Sequence, residues 1–411
     1  MRFATLRDLP RAYAKPQNTL RRIFHLTLTG RLSKMRKILI PFLLLIFSFG
    51  QLQAQSIAHR RAETMGIGMN VSYLDNYWQG TKAKHFADFA RPEEAAKREK
   101  MFAEIAGAGF KTVRIPVCFS AWMELKQPYN WDYPAGPEIA DNFVKWALAN
   151  NLNVIIDLHH TEFDGSIPEA ATAERLVNLW VRIAERYKNT NPEKVFFELR
   201  NEPHHISAEA WRWQAEQIVK YVREIAPQHT LIVGFEEWNG RKQMIEAKPL
   251  ADANIIYTFH YYDPFLFTHQ GATWAGVGGI EDVKFLPFPA NDQKVKTPDK
   301  ARGQWTESLI RTYKDDSKAD KMFGDLKAAK DWSTKNKVPI FLGEFGAFTK
   351  ATTLEDRCRY AETVYSALGK LQIPNAWWEW DGGFNMFAPG TTEIAGCMRK
   401  AIDSFALQTN R

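Results

Sequence analysis

The stretch that decides the fold runs from residue 195 to residue 203 and reads Val-Phe-Phe-Glu-Leu-Arg-Asn-Glu-Pro. It is a short, mostly apolar run typical of a buried β-strand, and it ends at Glu202. Residues 339–346 read Pro-Ile-Phe-Leu-Gly-Glu-Phe-Gly and place Glu344 at the end of a similar run. Most glutamates lie on solvated helix faces. Two glutamates at strand ends, flanked by Asn, Pro and Gly, indicate a functional pair instead.

Runs of the same kind recur along the chain at regular spacing. They are nearly continuously apolar and do not alternate with polar residues, as expected for parallel strands covered by helices. The eight predicted strands span residues 66–72, 112–117, 154–159, 195–200, 230–235, 254–260, 339–343 and 375–380. Helical patterns lie near residues 92–106, 138–150, 172–188, 207–225, 317–336, 354–369 and 391–406, and the helix after the fifth strand is the least defined.

Eight strand–helix units predict an α/β fold, a single (β/α)8 TIM barrel. The competing fold is a doubly wound open sheet with a nucleotide site, but neither G-x-G-x-x-G nor G-x-x-x-x-G-K-[ST] follows any of the runs. The connection after strand 6 is unusually long, from Asp263 to about Ser317, and is rich in Phe, Trp, Gly and Pro. A loop of this length predicts a cleft wall or lid. Trp274 is the residue of this loop most expected to contact a ligand. The alternative is that the loop packs over the outer helices.

The basic net charge belongs to the N-terminal segment. Residues 1–54 contain ten Lys or Arg and one acidic residue, which leaves 44 basic and 46 acidic residues in the rest of the chain. The net charge of +7 therefore does not indicate a nucleic-acid partner. Residues 35–55 combine a short positive region, an apolar stretch and a small-residue exit, and they predict a signal peptide. Residues 1–34 are expected to be an over-extended N-terminus, and residues 56–411 a single catalytic domain.

A transmembrane anchor is the alternative to the signal peptide. The apolar stretch over residues 38–49 is shorter than the roughly 20 residues that a membrane span needs. We therefore expect a secreted or periplasmic protein without stable membrane association after cleavage. Its three cysteines lack metal-type spacing, and a bridge between Cys358 and Cys397 stays open.

Polar and aromatic residues cluster at the predicted strand ends. In a (β/α)8 barrel these ends form one rim, where the active site lies. Taken one at a time, each residue has an ordinary structural explanation, but six strands deliver such a group together. Two carboxyl groups there suit cleavage of a glycosidic bond, which needs an acid and a nucleophile or base. The candidates are Arg114, His159, His160, Asn201, Glu202, His260, Tyr262, Glu344 and Trp378, with Trp238 and Trp274 as further cleft aromatics.

This constellation resembles glycoside hydrolase family 5, the retaining cellulase-type (β/α)8 enzymes. The resemblance runs in order over roughly residues 62–407, through Val-Arg-Ile-Pro, Ile-Asp-Leu-His-His, Asn-Glu-Pro, His-Tyr-Tyr, Gly-Glu-Phe-Gly and Trp-Trp-Glu-Trp. It implies that Glu202 is the acid/base, with Asn201 as its partner, and that Glu344 is the nucleophile. Spacing to the Gly-Gly-Phe at residues 382–384 favours Trp378 over Trp377 as the sugar platform. No cofactor or metal is expected, because His159 and His160 do not form a zinc motif.

The expected activity is that of a retaining endo-β-1,4-glucanase (cellulase), a monomer acting on a polysaccharide or oligosaccharide. A β-mannanase, xyloglucanase or β-1,3-glucanase remains open, because the catalytic set does not distinguish the hydroxyl pattern of the sugar. A non-catalytic carbohydrate-binding barrel is the alternative from another class, and the presence of both glutamates argues against it. A membrane-anchored structural protein would require an uncleaved signal segment.

Overall fold

Eight parallel strands form a closed barrel in chain order, with the first strand paired to the eighth. The computed structural model describes residues 56–75, 91–159, 169–292 and 294–409. The predicted (β/α)8 architecture is confirmed. The strands are β1 (Ile67–Asn70), β2 (Thr112–Val117), β3 (Asn153–Leu158), β4 (Val195–Glu198), β5 (Thr230–Val233), β6 (Ile255–His260), β7 (Ile340–Phe345) and β8 (Asn375–Trp377).

Helices cover the outside of the barrel, and nearly every strand residue is buried as a result. Side-chain caps fix several helix starts: Ser207 accepts a hydrogen bond from the backbone of Ala210, and Thr353 accepts one from the backbone of Asp356. The helices are α1 (Ile57–Met65), α2 (Pro92–Gly107), α3 (Ala135–Ala149), α4 (Glu169–Tyr187), α5 (Ala208–Ile225), α6 (Glu236–Asn239), α7 (Arg241–Glu246), α8 (Phe265–Thr268), α9 (Trp305–Asp316), α10 (Ala319–Asn336), α11 (Leu354–Leu371) and α12 (Gly396–Thr409).

Helix α1 precedes the barrel and closes its N-terminal end. Ser56 caps it, and Ala58, Ala62 and Met65 pack with inward residues of the strands such as Phe196. The carbonyl of Met65 accepts a hydrogen bond from the side chain of Thr112, at the start of β2. Sequence patterns did not predict this helix. The closed N-terminal end leaves the C-terminal rim as the accessible end of the barrel.

The segment after β6 differs from the expected irregular loop. It includes helix α9, which has no side-chain hydrogen bond at its N-cap and therefore lacks the usual start signal. Phe267 is fully buried between Phe288 and Tyr360, so this aromatic belongs to the core and not to a cleft. Trp274 and Trp305 are exposed.

A disulfide joins α11 to α12 through Cys358 and Cys397, which settles the pairing that the sequence left open. The third cysteine, Cys118, is a buried free thiol. Among the helices in the described parts of the chain, none has both the length and the apolar character needed to cross a membrane.

Candidate active site

Arg114 forms the centre of the C-terminal rim. It lies on β2, fully buried, and its guanidinium makes a two-pronged contact with Glu198 at 2.7 and 2.9 Å. The same group donates to Oε1 of Glu344 at 2.6 Å. Such paired, charge-assisted hydrogen bonds are what a buried guanidinium needs to offset its lost hydration. Three more oxygens surround it, on Asn70, Asp157 and Asn201.

Glu344 has a hydrogen-bond donor on each of its carboxylate oxygens. Arg114 contacts Oε1, and the hydroxyl of Tyr262 donates to Oε2 at 3.0 Å. Burial, followed by the charge of Glu344, raises the pKa of Tyr262 well above its ordinary value, so this hydroxyl stays protonated. Donors on both oxygens favour the ionised carboxylate. Two donors therefore fix the orientation of the Glu344 carboxyl group, whose side chain is 5% exposed.

Glu202 lies just after β4, in a left-handed backbone conformation with φ of 43°. Its Oε1 lies 2.7 Å from Nδ1 of His260. Burial raises the pKa of Glu202, and the nearby His159 and Arg114 partly oppose this shift. The neighbouring Asn201 accepts a hydrogen bond from Arg114 at 2.8 Å. The two carboxyl groups thus have different surroundings: Glu344 has a donor on each oxygen, and burial raises the pKa of Glu202.

The two carboxyl groups lie close together. An oxygen of Glu202, an oxygen of Glu344 and a ring nitrogen of His260 all lie within 4.8 Å of one another. The register between β6 and β7 shifts at Phe259 and His260, which places His260 opposite Glu344. Retaining glycosidases have carboxyl groups about 5–5.5 Å apart, and inverting enzymes about 6.5–9.5 Å. The oxygen separation agrees with the retaining arrangement.

These three side chains also form the one group of carboxylate, Cys or His donors in the described residues that converges closely enough for a metal ion. The guanidinium of Arg114 already lies 2.6 Å from Glu344. This fixed positive charge disfavours a cation at the same position. We assign no metal there.

His159 and Trp378 lie side by side on the rim. Nδ1 of His159 contacts Asp157 at 2.8 Å, and burial lowers the pKa of His159 to about 4. Its ring is stacked on Trp378, with centroids 5.6 Å apart and planes 13° apart. Trp377 is fully buried, whereas Trp378 is partly exposed. The structure therefore places Trp378 at the rim and Trp377 in the core.

The two further aromatic candidates are both exposed, one after β5 and one after β6. Trp238, in α6, is 47% exposed and stacks on His204, whose Nδ1 contacts the carbonyl of Glu202. Trp274 is 57% exposed and meets the ring of His269, which in turn contacts Tyr262. Both tryptophans thus connect to catalytic candidates through one intervening ring.

His160 lies outside the described residues, as do the predicted signal peptide and the segment before it. The sequence analysis missed several buried polar residues that the structure brings to the rim. Glu198 and Asp157 contact Arg114. Each is a lone charged residue within an apolar strand, and this pattern could have identified them from the sequence. Buried Asn70, Ser72, Asn239 and Glu379 gave no comparable signal. Ser72 donates to Glu379, and burial raises the pKa of that glutamate to about 7.

Comparison with known proteins identifies a family whose model matches most of this chain. The model of a family described as cellulase (glycosyl hydrolase family 5) matches residues 71–383. Endoglucanase 3 of Fibrobacter succinogenes is 28% identical over 70% of this chain and 46% of its own length. The chain thus spans about half of that relative. Endoglucanase C of Acetivibrio thermocellus is 28% identical over 76% of this chain and 90% of its own length.

Solved structures agree with this comparison. The endoglucanase Cel5A from Thermotoga maritima superposes with a TM-score of 0.68 at 28% identity, covering 84% of this chain and 98% of that protein. The same enzyme in complex with mannotriose superposes with a TM-score of 0.67 at 28% identity, covering 84% and 99%.

Proposed function

This chain belongs to glycosyl hydrolase family 5, and we propose that it is a retaining endo-β-1,4-glucanase that cleaves β-glucans by double displacement. One observation carries the proposal. Oxygens of Glu202 and Glu344 lie within 4.8 Å of each other at the accessible end of the barrel. A close carboxyl pair of this kind suits direct attack by a carboxylate, whereas enzymes that activate a water hold their carboxyl groups further apart.

In the first step Glu344 is the nucleophile. Arg114 and Tyr262 donate to its two carboxylate oxygens and orient them. Its oxygen attacks the anomeric carbon, and the bond to the leaving oxygen breaks. Glu202 gives its proton to that oxygen, so the leaving chain departs as a neutral alcohol. The product is a glycosyl ester on Glu344.

In the second step Glu202 acts as a base. It has lost its proton and removes one from an incoming water, whose oxygen attacks the anomeric carbon. The ester bond breaks and negative charge returns to Glu344, where Tyr262 and Arg114 stabilise it. Two displacements at the same carbon retain the β configuration. The proton gained by Glu202 prepares it for the next cycle.

The surrounding side chains suit a pyranose ring. The side-chain oxygen of Asn201 accepts from Arg114, and its amide NH2 group, whose nitrogen lies 3.4 Å from Nε2 of His159, is proposed to bond the 2-hydroxyl of the sugar. The partly exposed face of Trp378 offers a flat apolar surface for the same ring. The exposed indoles of Trp238 and Trp274 are proposed as platforms for further sugar units of the substrate.

A second candidate substrate has support from a solved structure. The similar Thermotoga enzyme has been crystallised with both mannotriose and cellobiose, so β-mannan is the second candidate substrate. Initial rates on carboxymethylcellulose, mixed-linkage β-glucan, xyloglucan, β-mannan and laminarin separate the candidates. Fastest hydrolysis of cellulose derivatives or mixed-linkage glucan supports the glucanase. Fastest hydrolysis of mannan would replace it with a mannanase, and no hydrolysis of any of them would contradict the proposal.

We further propose that the mature enzyme is exported and monomeric. The signal-peptide pattern over residues 35–55 supports export, and a disulfide between Cys358 and Cys397 suits an oxidising compartment. N-terminal sequencing of the exported product tests the cleavage near Ala54. A product that retains residues 35–55 would contradict it. Light scattering after size-exclusion chromatography tests the monomer.

A further inference from the structure

Asn239 occupies an unusual position directly after β5. Glu237, Trp238 and Asn239 all have left-handed backbone conformations, with φ of 55°, 58° and 53°. Three such residues in succession are unfavourable and concentrate at functional sites. The exposed indole of Trp238, a candidate cleft aromatic, gives one reason for this backbone conformation. Asn239 is fully buried and points the other way, which calls for a separate explanation.

The side chain of Asn239 lies against the ring of His260. Its Nδ2 is 3.1 Å from Nε2 of the imidazole. Gly234 makes room for this contact, since a Cβ there would collide with the Asn239 amide. On its other side the same ring nitrogen lies close to Gly343, where a Cβ would be 3.0 Å away. Backbone lies on one side of Nε2, and the Asn239 amide is its hydrogen-bond partner.

The other ring nitrogen of His260 faces two carboxylates. Nδ1 lies 2.7 Å from Oε1 of Glu202 and 3.5 Å from Oε2 of Glu344. A nitrogen in this position must carry a hydrogen, because otherwise its lone pair would face those of both oxygens. Glu198 adds a third negative charge nearby, and Arg114 and His159 oppose it. Surroundings with this excess of carboxylates attract a second proton to the imidazole, at Nε2.

We propose that Asn239 is a positioning residue that donates its amide N–H to Nε2 of His260 and thereby keeps this imidazole neutral, with its single hydrogen on Nδ1 pointing at Glu202. A proton on Nε2 would face the NH2 group of Asn239, so the donor blocks it. Nδ2 is the Asn239 atom that faces His260, and the side-chain oxygen of Asn239 has no hydrogen-bond partner among the described residues. The inference rests on the acid/base role proposed for Glu202.

A neutral His260 matters because Glu202 must gain and lose a proton in each cycle. An imidazolium 2.7 Å from Oε1 would hold Glu202 as a carboxylate and remove its acid form. A neutral imidazole donates one hydrogen bond to Oε1 and leaves Oε2 free to carry the proton that the leaving group receives. Burial lowers the pKa of His260 to about 4, which agrees with a neutral ring.

The test replaces the donor with an acceptor of the same shape. Asn239→Asp keeps the size of the side chain and the tolerance for left-handed backbone, but its carboxylate accepts a proton from Nε2. His260 then becomes an imidazolium between two acids. We expect the basic limb of the kcat/KM profile on cello-oligosaccharides to move down by roughly 1–3 pH units, the usual effect of an opposite charge at this distance. Formation of the glycosyl-enzyme from an aryl cellobioside with a very good leaving group should remain.

Asn151→Asp is the matched control. Asn151 also has a left-handed backbone, with φ of 59°, but it is exposed just before β3, at the far end of the barrel. It adds the same charge and should leave the pH profile unchanged. An unchanged or upward-shifted basic limb in Asn239→Asp would overturn the inference, because a merely structural role for Asn239 predicts no downward shift.

A measurement on the unmodified enzyme covers the case in which Asn239→Asp does not fold. Nitrogen-15 NMR of labelled histidines distinguishes the two neutral tautomers from the imidazolium. We expect His260 to be neutral around neutral pH, with hydrogen on Nδ1, and an imidazolium or a hydrogen on Nε2 would overturn the inference. This readout does not depend on turnover. If the enzyme were inactive on every β-glycan, the proposed function would be refuted. The NMR result would still decide whether His260 is neutral with its hydrogen on Nδ1.

Discussion

Tyr262→Phe removes the hydrogen bond to Oε2 of Glu344, which is the one polar contact of this hydroxyl among the described residues. The hydroxyl donates to Oε2 at 3.0 Å, and Arg114 continues to hold Oε1. A hydrogen bond to a charged group contributes about 1.5–3 kcal/mol. Negative charge returns to Glu344 when the glycosyl ester breaks, so the loss falls mainly on this second step. We expect that step to slow by roughly 10- to 150-fold.

The assay uses an aryl cellobioside with a very good leaving group, for which the first step is fast. Tyr262→Phe should then lower both kcat and KM, because the covalent intermediate accumulates, and a burst of released phenol should precede the steady state. Tyr261→Phe is the matched control. Tyr261 is the neighbouring residue and is nearly fully buried, whereas Tyr262 is partly buried, and the Tyr261 hydroxyl contacts Asp325, away from the site. Equal kinetics for the two variants would refute the assigned role of Tyr262.

Three further predictions follow from the same geometry. Trp274→Ala should weaken kcat/KM on long cello-oligosaccharides more than on short ones, with a near-normal melting temperature because the indole is 57% exposed; a large fall in melting temperature with unchanged chain-length preference would show a structural role instead. Glu198→Gln breaks a buried pair with Arg114 and should lower the free energy of unfolding by about 3–5 kcal/mol. Asp331→Asn removes one partner of the exposed pair with Lys327 and should stay within about 1 kcal/mol, and equal denaturation midpoints for the two variants would contradict this difference. The raised pKa of Glu202 predicts that kcat/KM on oligosaccharides falls as pH rises through a value above that of an ordinary glutamate; a basic limb that persists unchanged in the first step with a very good leaving group would assign it to another residue.

The barrel could be predicted from the sequence because the apolar runs that form its strands recur at regular spacing. The eight apolar runs match β1 to β8 within a few residues, and the strand ends deliver Arg114, His260 and Glu344 to one rim as expected. Helix α1 was not predicted, because nothing local indicates that a nine-residue helix closes a barrel end. Helix α9 was not predicted, because no side chain caps its N-terminus.

The parts of the site that could not be predicted depend on contacts between distant residues. Arg114 was expected at the rim, but its two-pronged partner Glu198 lies 84 positions away, and no spacing rule connects them. Asn239 reaches His260 only because its backbone is left-handed and Gly234 leaves room. Such contacts arise from the closed barrel and cannot be read from either segment alone.

The central claim is that Glu344 is the nucleophile and Glu202 the acid/base, and azide rescue tests it most directly. On an aryl cellobioside with a very good leaving group, Glu202→Ala should still form the glycosyl-enzyme, since no proton is needed, and azide should speed turnover to give a β-configured glycosyl azide. Glu344→Ala should show neither turnover through a covalent intermediate nor a β-configured azide product. A β product from Glu344→Ala, an α product from Glu202→Ala, or equal behaviour of the two variants would contradict the claim.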